Sequence, residues 1–250
     1  MSGRVGSITT DIIADGLVFN VDAANKASYP AQRTFAIAES GSCYNTLDLS
    51  QSGSFISDPT FITQPISASC WGFDGIDDYI DCGLFTPLDS GSAVTISAWF
   101  KSPSGSYSNY GRLVNVYHHV EIYQSLVGAS NTRGRFYYKL RGQYGNGIAT
   151  LGGTSASGVG DLCDGNWHHL CLVFKGATLT ATVYEDGVAV ATTTTTKAAL
   201  NSTTNKLYMG ANPAGANPIT GNIANTHIYN RALNANEVLH NYNALKSRFE

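Results

Sequence analysis

Apolar and polar residues alternate with a period of two through several short runs of the chain. Val94, Ile96, Ala98 and Phe100 interleave with Thr95, Ser97, Trp99 and Lys101, which predicts a strand with one face turned to a core. Leu179, Ala181 and Val183 interleave with Thr178, Thr180 and Thr182, and Glu185-Asp186-Gly187 then leads into Val188-Ala189-Val190-Ala191. That order predicts a β-hairpin. His169-Leu170-Cys171-Leu172-Val173-Phe174 is apolar on both faces, which predicts a central strand covered on both sides. The period changes once, near the C-terminus. Asn234 and Glu237 form a capping-box pair, and Val238, Tyr242, Leu245 and Phe249 follow as a helical stripe, which predicts a helix at about 235–249 packed on the strands. Short strands separated by turn signals predict an all-β fold, a two-sheet antiparallel sandwich with a short C-terminal helix. We expect an N-terminal arm over residues 1–15 and one domain over residues 16–250.

Composition adds a constraint on the surface. Charged residues make up 13% of the 250 residues, about half the roughly 25% usual for soluble proteins. Neutral polar groups such as Thr192-Thr193-Thr194-Thr195-Thr196 take their place. Weak self-repulsion suits a homo-oligomer or a part of a larger assembly. The formal net charge is -3, and lysines and arginines are not clustered along the chain, so neither nucleic acid nor a membrane is expected as a partner. The N-terminal residues lack the apolar stretch of a signal peptide, and no run is long enough for a transmembrane helix. Five cysteines lack metal-ligand spacing and are expected to be reduced and mostly buried, although Cys70 with Cys82, or Cys163 with Cys171, would meet if they lay on neighbouring strands.

Several residues carry candidate chemistry. Asp74, Asp77, Asp78 and Asp81 form an acidic cluster, but Asp77 and Asp78 on a strand would face opposite ways, and Asp74-Gly75 reads as turn chemistry. The doublets His118-His119 and His168-His169 fail as paired metal ligands for the same reason. Glucanase catalysis needs two carboxylates flanking a sugar bond. Glu39, Glu121, Glu185, Glu237 and Glu250 are scattered, and no Glu-Asp-Glu set alternates on one strand, so no enzyme and no catalytic residue is expected. Carbohydrate binding is a better fit, because aromatic rings stack on sugars while amides fix their orientation. The Gly-, Ser-, Asn- and Tyr-rich stretch between Gly105 and Gly160 is expected to hold the longest loops, and Tyr107, Asn109, Tyr110, Tyr138, Tyr144 and Asn146 are its candidates for contacting a carbohydrate or a protein partner.

Longer segments then carry a family resemblance. Gly16-Leu17-Val18-Phe19-Asn20-Val21-Asp22-Ala23, Phe73-Asp74-Gly75 through Ile80, Ile96-Ser97-Ala98-Trp99-Phe100, Trp167-His168-His169-Leu170 and the closing Gly221-Asn222-Ile223 through Glu237-Val238 resemble, in order, the elements of laminin-G-like, concanavalin-A-type jelly rolls of tailed-bacteriophage virion proteins. The resemblance implies a non-enzymatic structural protein on the capsid or tail surface, of decoration or fibre type. It implies assembly in the host cytoplasm beside other virion proteins, with host polysaccharide as a ligand. The alternative is a lectin-like adhesion module of a bacterial surface or secreted protein. The resemblance also implies a structural calcium, for which Asp22, Asp74, Asp77 and Asp78 are the candidate ligands, but relatives carry an acidic pair where this chain has Ala224-Asn225. No other cofactor is expected.

Overall fold

A computed structural model describes residues 12–30, 41–63, 68–103, 110–127, 133–141, 147–152, 162–201 and 205–250. Sixteen strands and one α-helix follow in chain order among them. The first eight strands are β1 (Leu17–Asp22), β2 (Ser42–Asn45), β3 (Asp48–Ile56), β4 (Thr60–Ile62), β5 (Cys70–Asp74), β6 (Tyr79–Phe85), β7 (Ala93–Lys101) and β8 (Arg112–Val116). The rest are β9 (Val120–Val127), β10 (Arg133–Arg141), β11 (Gly147–Gly152), β12 (Trp167–Lys175), β13 (Thr180–Glu185), β14 (Val188–Thr194), β15 (Asn205–Met209) and β16 (Thr220–Tyr229), followed by α1 (Ala235–Lys246). The first sheet runs β14-β13-β12-β7-β16-β5-β4, with β1 also paired to β16; the second runs β11-β10-β9-β8-β15-β6-β3-β2. The arrangement is a two-sheet antiparallel sandwich with one short C-terminal helix.

Alternation places the core between the sheets. Val94, Ile96, Ala98 and Phe100 of β7 meet Val114, Val116, Val120, Ile122, Phe136, Tyr138 and Leu140 of the second sheet in one buried cluster. Full burial of each aliphatic or phenyl side chain is worth about 1.5–3 kcal/mol, so this cluster is the main stabilising unit. β12 lies between β7 and β13, in a central position. The β13–β14 turn places Asp186 at φ 50° and Gly187 at φ 79°, the paired positive dihedrals that a two-residue hairpin turn requires.

The polar face of β7 departs from simple alternation. Thr95, Ser97 and Trp99 are as buried as their apolar neighbours, because α1 and the tail after it cover the outer face of the first sheet. Trp99 stacks on Tyr242 at 5.5 Å and on Phe249 at 4.4 Å between ring centroids. The Thr95 hydroxyl donates to the Arg231 carbonyl and accepts from the Leu233 N–H. At the N-terminal end, Ile12 and Ile13 pack against the same layer, and the Ile13 N–H donates to Asn241 Oδ1. The helix begins with the expected capping box between Asn234 and Glu237 and ends at Lys246, short of Phe249. Asn234→Ala is expected to cost about 1 kcal/mol, read from the urea midpoint, since it releases the Glu237 N–H.

All five cysteines are free and buried. Cys82 lies in the main core beside Cys43, while Cys70 lies under the helix, and Cys163 and Cys171 likewise fall in separate clusters. Neither pair suggested by the sequence is brought together, because Cys82 and Cys163 belong to the core between the sheets, whereas Cys70 and Cys171 belong to the clusters on the outer side of the first sheet.

Candidate carbohydrate-binding face

The second sheet turns its outer face to a row of polar and aromatic side chains that no helix covers among the described residues. Cross-strand pairing sets the row: Ser54 opposite Asp81, Asp81 opposite Tyr208, Tyr208 opposite Asn115, Asn115 opposite Glu121 and Glu121 opposite Lys139. A neighbouring row joins Arg112, Tyr123 and Tyr137. Residues paired across antiparallel strands share a face, which is why these side chains converge from distant parts of the chain.

Glu121 is the hub. Its carboxylate accepts from Arg141 Nε and lies 3.0 Å from Arg112 Nε, although its own side chain is almost fully buried. Arg112 also lies 4.6 Å over the Tyr123 ring and donates to the Tyr110 carbonyl. Tyr123 and Tyr137 stack at 5.6 Å with an interplanar angle of 21°, and Tyr110 sits 6.3 Å from Tyr123 on the other side. Tyr123 thus holds Tyr137 and Tyr110 apart as the two rings open to solvent, Tyr110 at 51% exposure. Further along the sheet, Tyr79 and Tyr208 form a second tyrosine pair, with Lys206 bound to Asp81 at 2.9 Å.

This geometry suits binding better than hydrolysis. Asp81 and Glu121 share the row but are three strand spacings apart, about 14 Å. Glycosidase carboxyl pairs sit at roughly 5–9.5 Å, so these two do not flank one glycosidic bond.

Tyr110 is the one tyrosine proposed from sequence that lies exposed among the described residues. Tyr138 has zero exposure and points into the core, so it is withdrawn from the sugar-contacting set; its neighbour Tyr137 takes that place. A strand alternates faces with every residue, and choosing the wrong member of Tyr137-Tyr138 inverts the assignment. Phe136, Tyr138 and Leu140 against Tyr137, Lys139 and Arg141 is the signal that separates them. Tyr123, Arg112 and Glu121 were also missed, since only pairing shows that they meet. Tyr107, Asn109, Tyr144 and Asn146 lie outside the described residues.

Asp77 and Asp78 lie in the β5–β6 turn instead of on a strand, between Asp74 at the end of β5 and Asp81 on β6, so Asp74, Asp77 and Asp78 do converge, with carboxylate oxygens within 4.8 Å of one another. Turn chemistry uses those oxygens: Asp74 Oδ1 accepts from the Ile76 N–H and Asp78 Oδ2 from the Asp74 N–H. Burial, then crowding by Asp74, Asp77 and Asp58, pushes the Asp78 carboxyl up to about 6. Asp22 is elsewhere, clasped by Arg248. Calcium takes six to eight oxygen ligands, and three carboxylates with two oxygens already engaged do not supply that shell.

The histidines have structural settings. His168 bridges Asp186 and Asp164 at 2.8 and 3.2 Å; burial alone would depress its pKa, but the two carboxylates together raise it. His169 is buried against Trp99, and burial holds its pKa down at about 3. His119 is buried and faces Asp89 at 3.3 Å, while His118 packs on Tyr117.

Among solved structures, the binding domain of Paraclostridial Mosquitocidal Protein 1 superposes with a TM-score of 0.64 at 14% identity, over 92% of this chain and 52% of that one. The binding domain of botulinum neurotoxin DC, solved in complex with SialylT, gives 0.63 at 10% identity over 93% and 52%. Domain 4 of AbnA, an extracellular arabinanase from Geobacillus stearothermophilus solved with arabinotriose, gives 0.57 at 15% identity over 92% and 98%. The chain therefore spans about half the length of the two toxin binding domains and nearly all of the arabinanase domain. At these identities the likeness concerns the fold. A sequence search of curated proteins returns no match. The family model described as the concanavalin A-like lectin/glucanases superfamily, in its laminin G form, matches residues 74–239, more than half of the chain, which therefore belongs to that family.

Proposed function

We propose that this protein is a non-enzymatic, lectin-like module that binds polysaccharide through the outer face of its second sheet. We further propose that it is carried on the capsid or tail surface of a tailed-bacteriophage particle. The observation that carries the binding reading is the stacked Tyr123–Tyr137 pair flanked by Tyr110 and braced by Arg112. Exposed tyrosine rings offer an apolar surface to the C–H face of a sugar, while the surrounding charged groups supply hydrogen bonds to its hydroxyls. The same fold is found with sugars bound in domain 4 of AbnA and in the neurotoxin binding domain, which supports the reading without fixing the ligand.

The virion setting is supported by the sequence resemblance, by the low charge content and by five free thiols, which suit assembly in a reducing cytoplasm. Other virion proteins, or further copies of this chain, are then its protein partners.

Tyr137→Ala is expected to weaken glycan binding roughly tenfold, about 1.4 kcal/mol, with little change in thermal midpoint. A glycan array followed by calorimetry on the hits measures this, and silence across a broad array would sink the binding reading. Mass spectrometry of purified particles addresses the virion placement, which does not survive if the chain is missing from them.

A further inference from the structure

We propose that the outer face of the second sheet selects hexuronate-bearing polysaccharides, with Lys139, Arg112 and Arg141 meeting the sugar carboxylate. The inference rests on the glycan-binding reading and adds the charge of the ligand. Three cations surround one carboxylate here, Glu121, so the patch carries an excess of two positive charges on a chain whose formal net charge is -3. The cations come from two strands, Arg112 from β8 and Lys139 with Arg141 from alternate positions of β10.

Glu121 engages both guanidinium groups and leaves Lys139 without an ion-pair partner among the described residues. Lys139 is also held below its usual pKa, by burial first and then by the nearby Arg141 charge. An incoming anion relieves that crowding, whereas a neutral sugar leaves it in place. A carboxylate matches the site's own precedent, because arginine forks bind planar carboxylates through paired N–H donors. Tyr137 is adjacent to Lys139's row, on the neighbouring position but one of the same strand face. A ring stacked there would bring its substituents toward the ammonium. The acidic turn with Asp74, Asp77 and Asp78 precedes β6, which is four positions from β10 in the order of the second sheet.

The test uses the full chain and a panel of hexuronate-bearing polysaccharides paired with their carboxyl-reduced counterparts, which keep linkage and hydroxyls but lose the charge. The acidic member of a bound pair is expected to bind about tenfold tighter at low salt, a preference that shrinks as ionic strength rises. Lys139→Gln is expected to narrow the ratio between the two members by about fivefold. Tyr137→Ala should weaken both members alike. Equal binding of acidic and reduced forms, or tighter binding of the reduced ones, overturns the charge preference and leaves the glycan reading standing. If no member of the panel binds while neutral glycans elsewhere on an array do, the hexuronate assignment alone falls. If nothing binds at all, both fall.

Discussion

Arg248→Met is expected to destabilise the protein by about 3–5 kcal/mol, the usual cost of stripping one partner from a buried ion pair. Arg248 and Asp22 form two parallel bonds of 2.7 and 2.9 Å, and both residues are buried. Asp22 ends β1, while Arg248 lies just beyond α1, so the pair ties the start of the sandwich to its last residues. Removing the guanidinium leaves a buried carboxylate that keeps the hydrogen bond from the Ala24 N–H but has lost its countercharge. It also frees the tail that presses Phe249 onto Trp99 and Trp167. For a chain of this size each kcal/mol moves the thermal midpoint by roughly 2–4 °C, so a drop on the order of 10 °C is the expected reading. The double variant Asp22→Asn with Arg248→Met should recover part of the loss, because it no longer strands a charge. A single variant within 1 kcal/mol of the wild type would show that the tail is held by its aromatic contacts alone.

The same pair shows what sequence reading could and could not reach. Asp22 is a candidate for the calcium that the family resemblance implies, but its cation is a guanidinium 226 residues away, and no local pattern encodes that partner. Strand positions were legible in β7 and the β13–β14 hairpin, from the period-two pattern and the Asp186-Gly187 turn, and in β12, from a run apolar on both faces. The capping box and stripe of α1 were equally legible, since every contact that defines them falls within a few residues. What α1 covers was not legible. Thr95, Ser97 and Trp99 look like the wet side of a strand until the helix lies across them.

The candidate site shows the same division. The sequence directs the search to the loops of the Tyr-rich middle of the chain, and Tyr107, Asn109, Tyr144 and Asn146 there lie outside the described residues. Among the described residues the aromatic face is built instead from β8, β9 and β10. Glu121 was set aside for lacking an acidic partner, a sound argument against hydrolysis that says nothing about binding. Its value lies in organising Arg112 and Arg141, which register alone reveals.

Acid is expected to weaken the protein by loosening the layer beneath α1. His169 and His227 are buried there, held down at about 3 and about 4 by burial first; His227 adds to the depression at His169, while Arg248 opposes Asp22 at His227. Neither ring nitrogen of His169 has a hydrogen-bond partner among the described residues, so the neutral form is the one that fits. Asp186 from the hairpin turn, Tyr242 from the helix, Asp22 from β1 and Arg248 from the tail are the ionisable groups facing the two rings. An unfolded histidine titrates near 6.5. The stability at stake is therefore fully present above about pH 6.5 and is lost progressively as the pH falls from there toward the folded values of about 4 and 3. At pH 5 each histidine accounts for a loss on the order of 2 kcal/mol. Two groups act in the opposite direction. Asp78 and His168 have raised folded values, so their contributions are present in acid and are lost as the pH rises through those values. Both histidines lie deeper than either opposing group, so the net expectation is a falling urea midpoint between pH 7 and pH 5. Fluorescence of Trp99 and Trp167 should change with it, since both rings pack under the tail. His169→Gln should flatten the profile, and a wild-type midpoint that stays level or rises on acidification would refute the account.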